Sequence, residues 1–251
     1  ANKNTIKIIG THTDKYCQAY FDYDSKKSGG YTCSHLRFGD LPIAAPYLVN
    51  TPDFVAVHVP SYLRKYDCLR GLKKGGTFLY NSIWDVEETK KQLPDNVKKY
   101  LADNEINMYI IDATKIAQNI GLGNRTNTIL QSAFFALNEQ IMPYGDAVKY
   151  MKEAAEKSYG KKGPEVVKAN FDAIDAGKSG LVQVEVKESW ASLDPTFTIP
   201  KTGDAYMDEH SNQYNYLKGY DMPVSAFEKF GVLDGTMRNN VSYAEHINIA
   251  S

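Results

Sequence analysis

Short runs rich in β-branched and aromatic residues recur along the chain, separated by longer segments whose apolar positions return every three or four residues. The first pattern reads as strand and the second as amphipathic helix. Strands are expected over "TIKIIG" (Thr5 to Gly10), "YTCSHLRF" (Tyr31 to Phe38), "DFVAVHVP" (Asp53 to Pro60), "GTFLYNS" (Gly76 to Ser82), "NMYIIDA" (Asn107 to Ala113) and "LVQVEV" (Leu181 to Val186). Helices are expected over Thr13 to Asp24, Ser61 to Leu72, Val86 to Asn104, Asn127 to Gln140, Asp146 to Tyr159 and Pro164 to Ala176. The segment "NTILQSAFFALNEQ" is apolar almost all round, which predicts a buried helix with Phe134 in the core.

Alternating strands and helices predict an α/β fold: three layers, α/β/α, around a largely parallel or mixed sheet, followed by an irregular C-terminal extension. In such sheets ligands sit beyond the carboxyl ends of the strands, so the segments after each strand are where chemistry is sought. The organisation expected is an α/β domain over 1–190, a polar, Pro- and Gly-broken linker or surface arm over 191–222, and a partial segment over 223–251 leading toward a next domain.

Composition narrows the partners. The 251 residues are 43% hydrophobic, enough for a real core, and the net charge of −1 gives no general electrostatic case for nucleic acid or an anionic membrane. Any anion site must be local. The tyrosines do not interleave with basic residues as a nucleic-acid groove requires. Cys17, Cys33 and Cys68 are odd in number and widely spaced, which fits a reducing compartment, the cytoplasm by default, and provides neither a zinc site nor a cysteine-held iron–sulfur cluster. No signal peptide or apolar run of spanning length is seen, and a start at Ala1 without methionine reads as a cut from something longer.

The candidate chemistry is anionic recognition. In "DYDSKKSGG", Lys26 and Lys27 could simply complement the last turn of a helix that Gly29 and Gly30 terminate. The functional alternative is that the glycine amides approach an anion while Ser28 and the lysines donate to phosphate oxygens. "KSYGKKG" repeats this chemistry around Lys161. "IGLGNRTN" lacks the spacing of either standard nucleotide fingerprint, and Asn124, Thr126 or Asn127 could cap the helix that follows. His58 and Ser61 follow the third strand, and Asn81, Ser82 and Asp85 the fourth. No spacing supplies His58 with an aspartate and nucleophile partner, and Ser61, Ser82 and Asp85 are simplest as caps.

Taken together, "YFDYDSKKSGG", "SHLRFGD", "NSIWDVEE", "IIDATKIAQNIGLGNRTN", "QSAFF" and "KSYGKKG" resemble one family: the gamma portion, domain III, of pyruvate:ferredoxin (flavodoxin) oxidoreductase. The resemblance runs from Ala1 to about Trp190 and resumes in "MPVSAFEKFGVLDGT"; the terminal "YAEHINIA" departs from it. It implies oxidative decarboxylation of pyruvate with coenzyme A, giving acetyl-CoA, carbon dioxide and electrons for ferredoxin or flavodoxin. Thiamine diphosphate, magnesium and iron–sulfur clusters are implied for the full enzyme but not for this chain, which would be inactive alone. The gamma portion is associated with coenzyme A, and "SKKSGG" is the best match to its binding loop. Lys26, Lys27, Ser28, Gly29 and Gly30 are therefore the expected coenzyme contacts, with His58, Asn124 and Lys161 as further members. None is expected to act as acid, base or nucleophile; their role would be to position the coenzyme thiol. A different class of role is an interaction or scaffold domain that packs against the catalytic domains with no direct coenzyme contact.

Overall fold

The structure is a computed structural model and describes residues 2–23, 30–195, 199–216 and 218–229. By contact the chain divides into two units, one comprising residues 1–62 and 68–194 and the other residues 63–67 and 195–251.

The first unit opens with helix α1 (Asn2–His12), where a strand was expected. Thr5, Ile8 and Ile9 are its buried positions, a three-and-four spacing that only a helix places on one face. The next segment reverses the other expectation: in place of a helix over Thr13 to Asp24 lies strand β1 (Tyr16–Tyr23). It pairs antiparallel with β2 (Thr32–Gly39), from Tyr16 opposite Gly39 to Tyr23 opposite Thr32. Aromatic residues in "YCQAYFDY" favour the pleated surface, and alternation turns Cys17 and, across the pair, Phe38 inward against α1 and the helical layer.

The main sheet follows with β3 (Phe54–Val57), the short helix α2 (Tyr62–Lys65), β4 (Thr77–Asn81), α3 (Val86–Gln92), α4 (Asp95–Asp103) and β5 (Asn107–Ile111). The strands β3, β4 and β5 are parallel neighbours in that order. Helices α5 (Ala113–Asn119), α6 (Asn127–Leu137), α7 (Tyr144–Tyr159) and α8 (Pro164–Ser179) then lead to β6 (Val182–Val184), antiparallel to β5 at the sheet edge. The sheet is thus mixed and the α/β expectation holds.

Two expected helices are cut short or broken, and, besides α1, a further helix was missed. Only Tyr62–Lys65 of Ser61 to Leu72 is α-helical. The stretch Val86 to Asn104 breaks because Pro94 has no N–H to donate and holds Leu93 in an extended conformation (φ −58°, ψ 133°). The unexpected α5 is started by Asp112, whose carboxylate accepts from the Lys115 amide at 2.9 Å.

One buried cluster joins Leu79 and Ile111 of the sheet to Ala113, Ala117, Ile129, Leu130, Ala133 and Ala173 of α5, α6 and α8. A second joins Ile8 and Ile9 of α1 to Phe135, Met151 and Ile174. In α6, Phe135 is the fully buried ring, whereas Phe134 is half-buried between Phe38, Phe54 and Phe135.

In the second unit, where a linker was expected, helical turns occupy Met207–Ser211 and Asn212–Asn215. His210 is buried there among the rings of Tyr206, Tyr214 and Phe227. No helix among the described residues is long and apolar enough to cross a membrane.

Candidate functional site

Parallel strands that share a direction end on one edge, and here His58, Ser82 and Asp112 are the first residues past β3, β4 and β5. One buried side chain ties that edge together. Asn81, 4% exposed, donates from Nδ2 to the His58 carbonyl at 3.0 Å and accepts at Oδ1 from the Ala113 amide at 3.1 Å. Both ends of the amide are used, as burial demands. Ser82 is engaged locally: its Oγ accepts from the Trp84 amide at 3.1 Å and lies 2.8 Å from Thr89 Oγ1. Asp85 caps α3 through the Glu88 amide at 2.8 Å, the role expected of it.

His58 sits half-buried at this edge, and burial lowers its pKa from 6.5 to about 4. The ring is therefore neutral near pH 7. It can donate one hydrogen bond and accept another but carries no positive charge.

Past His58 the chain is pinned twice more. Tyr80 Oη donates to the Pro60 carbonyl at 3.4 Å, and the Tyr62 amide closes a turn onto the Val59 carbonyl at 3.0 Å. Tyr62 Oη then donates to the Gly30 carbonyl at 3.0 Å, and its ring stacks on Tyr31 with centroids 5.6 Å apart. Burial pushes up both the Tyr31 phenol, which hydrogen-bonds Cys33, and the Cys33 thiol.

Of the residues singled out by sequence, Lys26, Lys27, Ser28 and Gly29 lie outside the described residues. Their setting is nonetheless different from the one expected, because β1 precedes them and β2 follows, so no helix over Thr13 to Asp24 ends at these lysines. The structure brings Gly30 and the segment carrying His58 together through Tyr62. Asn124 is exposed in the turn before α6, past the far end of α5 and about 10 Å of helix from the strand edge. It does not cap: the N-cap position is Thr126, and that side chain makes no capping hydrogen bond. Lys161 is exposed in the turn Gly160–Lys162 between α7 and α8. Sequence reasoning placed Asn81 at a strand end without giving it a role, and missed Tyr62 altogether. Asn81 carries a legible sign, a polar residue closing an apolar strand; Tyr62 carries none, since its partner is remote in sequence.

A three-layer α/β domain with an appended hairpin, its strand ends cross-linked and its hairpin stem tied to the exit of β3, defines the class of protein. This chain belongs to the pyruvate ferredoxin/flavodoxin oxidoreductase family, whose pattern matches residues 1–180. It is 46% identical over 250 residues to the pyruvate-flavodoxin oxidoreductase of Enterobacter agglomerans, covering 100% of this chain and 21% of that protein. The pyruvate:ferredoxin oxidoreductase of Moorella thermoacetica is also 46% identical, over 233 residues, covering 92% of this chain and 20% of that protein. The chain therefore spans about a fifth of the relatives it matches.

Solved structures share the fold. The PORC subunit of pyruvate oxidoreductase from Thermotoga maritima superposes with a TM-score of 0.55 at 23% identity, over 73% of this chain and 91% of that one. The 2-oxoglutarate:ferredoxin oxidoreductase of Magnetococcus marinus, a structure with 2-oxoglutarate, coenzyme A and succinyl-CoA bound, gives 0.51 at 17% identity, over 77% of this chain and 31% of that one.

Proposed function

We propose that this chain is the coenzyme A-binding domain of a cytoplasmic pyruvate:ferredoxin or pyruvate:flavodoxin oxidoreductase. The full enzyme oxidatively decarboxylates pyruvate to acetyl-CoA and carbon dioxide and passes the electrons to ferredoxin or flavodoxin. The observation that carries the reading is 46% identity along the whole chain to a pyruvate-flavodoxin oxidoreductase, and the 2-oxoglutarate enzyme of like fold holds coenzyme A. Thiamine diphosphate, magnesium and the iron–sulfur clusters belong to other parts of that enzyme. The three cysteines of this chain are one short of a four-thiolate cluster, and no group of three or more His, Cys, Asp or Glu among the described residues could hold a metal ion.

In this reading Lys26, Lys27 and Ser28 donate to coenzyme phosphate oxygens, the amides of Gly29 and Gly30 add to them, and neutral His58 supplies at most one hydrogen bond. Asn124 and Lys161 are the weaker members, since each stands in a separate turn. The contribution to chemistry is positional: fixing the phosphates fixes where the thiol can reach. In the full enzyme, Lys26→Ala/Lys27→Ala should raise the KM for coenzyme A, by about tenfold for each 1.4 kcal/mol of charged hydrogen bonding lost, and leave the KM for pyruvate in place. Unchanged coenzyme affinity in a correctly folded double variant overturns it.

A second reading, an interaction domain without a coenzyme role, has one observation in its favour. Tyr20 of β1 and Leu41 and Tyr47 of the segment after β2 are 57%, 77% and 65% exposed, large side chains of the kind an interaction surface uses. Loss of assembly on Tyr47→Ser with coenzyme affinity intact in the lysine variant would select it.

A further inference from the structure

We propose that residues 41–49 form a strap over the outer face of the β1–β2 hairpin and that His35 is its latch, released when the ring takes up a proton. The hairpin has two unlike faces. Cys17 and Phe38, directly opposite each other, pack on the helical layer, so alternation turns Gln18, Tyr20 and Asp22 of β1 and Cys33, His35 and Arg37 of β2 to the other side. The strap crosses that side. Among the described residues no main-chain hydrogen bond to another main-chain group holds 41–49; hairpin side chains hold it instead.

Gln18 Nε2 donates to the Ala45 carbonyl at 2.9 Å, and Arg37 Nη2 to the Leu48 carbonyl at 2.9 Å. Arg37 Nη1 donates to Gln18 Oε1 at 2.8 Å, which ties these two clasps together, and its guanidinium lies 4.9 Å from the centroid of the Tyr47 ring. The remaining clasp runs the other way: the Val49 amide donates to His35 Nδ1 at 3.2 Å. On either side of the strap the chain is fixed. Asp40 pairs with Lys15 at 2.8 Å, the Asn50 carbonyl packs so closely on Gly71 that a Cβ there would lie 2.0 Å from its oxygen, and the Pro52 carbonyl accepts from the Lys73 amide at 3.0 Å. Only the residues between these anchors are free to lift.

A ring nitrogen that accepts an amide proton carries none of its own, so the closed strap requires a neutral imidazole with its proton on Nε2. Protonating Nδ1 sets two donors face to face and puts a second cation beside Arg37. Burial lowers the His35 pKa from its ordinary 6.5; the Asp22 carboxylate acts against that shift and Arg37 with it. Tyr20, Cys33 and Tyr47 are the other titratable side chains here, and acid adds no charge to a phenol or a thiol. The closed state has the lower pKa. Closure is therefore at full strength above about pH 6.5, and its equilibrium constant falls by up to about tenfold per pH unit from there to the closed-state pKa. Opening bares Arg37 and an imidazolium on a face that closure covers.

Histidine NMR and amide hydrogen exchange on the full 251-residue chain, between pH 7 and pH 4.5, test this. Corrected for the intrinsic pH dependence of exchange, protection of the Val49 amide should fall about tenfold or more beyond any change at the Leu79 amide of β4, in step with the His35 titration. His35→Phe, which accepts nothing, should bring Val49 at pH 7 down to the parent's level at pH 4.5 and leave Leu79 as it was. His35→Gln, whose side-chain oxygen accepts at any pH, should abolish the extra fall. Val49 protection that stays flat while His35 titrates overturns the latch, as does a His35 ring that remains neutral down to pH 4.5. So does full Val49 protection at pH 7 in His35→Phe, or a parent-like fall in His35→Gln. A fall shared equally by Val49 and Leu79 marks unfolding of the whole domain and overturns it too.

Discussion

His58 shows how far one residue's environment decides what it can do. Burial at the end of β3 holds its pKa near 4 in the folded chain, against 6.5 in the open chain. The folded pKa is the lower one, so the unfolded state binds the proton first as pH falls. Stability supplied by the neutral ring is present above about pH 6.5 and is lost between there and about pH 4, at close to 1.4 kcal/mol per pH unit, to a total of about 3 kcal/mol. Urea midpoints of the parent and a His58→Gln variant, compared at pH 7 and pH 4.5, isolate this group from the carboxylates that titrate in the same range. The variant should lose less stability on acidification. Equal losses would put the ring in water and restore a charged histidine as a possible anion ligand.

At the scale of elements, α6 and α8 approach so closely that one glycine is decisive. A Cβ on Gly177 would lie 2.3 Å from Ser132 Cβ, 2.5 Å from Ser132 Oγ and 2.8 Å from the Ile129 carbonyl. Two of these atoms cannot rotate away, so Gly177→Ala should cost at least the roughly 1–3 kcal/mol of an overpacked core, even though alanine is the better helix former. A denaturation midpoint equal to the parent's would show that the helices can part. In α6, Phe135→Ala should cost about 3–5 kcal/mol and Phe134→Ala less, because only Phe135 is fully buried. The reverse order would place the core on the other ring.

These helices were legible in the sequence because their period ran long enough to exclude strand, and β3, β4 and β5 because apolar, β-branched runs bounded by turn residues allow little else. The N-terminal elements were not. "TIKIIG" is six residues long, a length at which apolar runs do not separate helix from strand; the buried set Thr5, Ile8 and Ile9 shows the helical stripe only once Asn2–His12 is taken as one element. "YCQAYFDY" has strand composition, yet its alternation is blurred by tyrosines exposed at 16, 20 and 23. That exchange also removed the simplest bland account of Lys26 and Lys27. The strand-end position of His58 was legible; the contact of Tyr62 with Gly30 bridges more than thirty residues and leaves no local trace.

At the scale of the whole molecule, the chain is a fifth of its relatives, and its own residues limit what that fifth can do. Pairing of Tyr16 with Gly39 through Tyr23 with Thr32 places Cys17 and Cys33 on opposite faces of the hairpin, since side chains alternate along each strand. Burial pushes both thiols up, away from the thiolate that iron requires. Cys68 alone cannot complete a cluster from there. Purified by itself, the chain should therefore be colourless and hold no stoichiometric iron, and it should release no carbon dioxide from pyruvate with added thiamine diphosphate and magnesium. On the proposed coenzyme reading, binding of coenzyme A should be weak in the same preparation, because ordering the ligand offsets much of the contact energy, and weaker still as salt rises, because ionic contacts are screened. Visible absorbance accompanied by iron would mean that the cysteines converge in a way the hairpin forbids. Carbon dioxide release above a protein-free control would mean that the catalytic machinery lies within these 251 residues, and the assignment to a coenzyme-binding part of a larger enzyme would then be wrong.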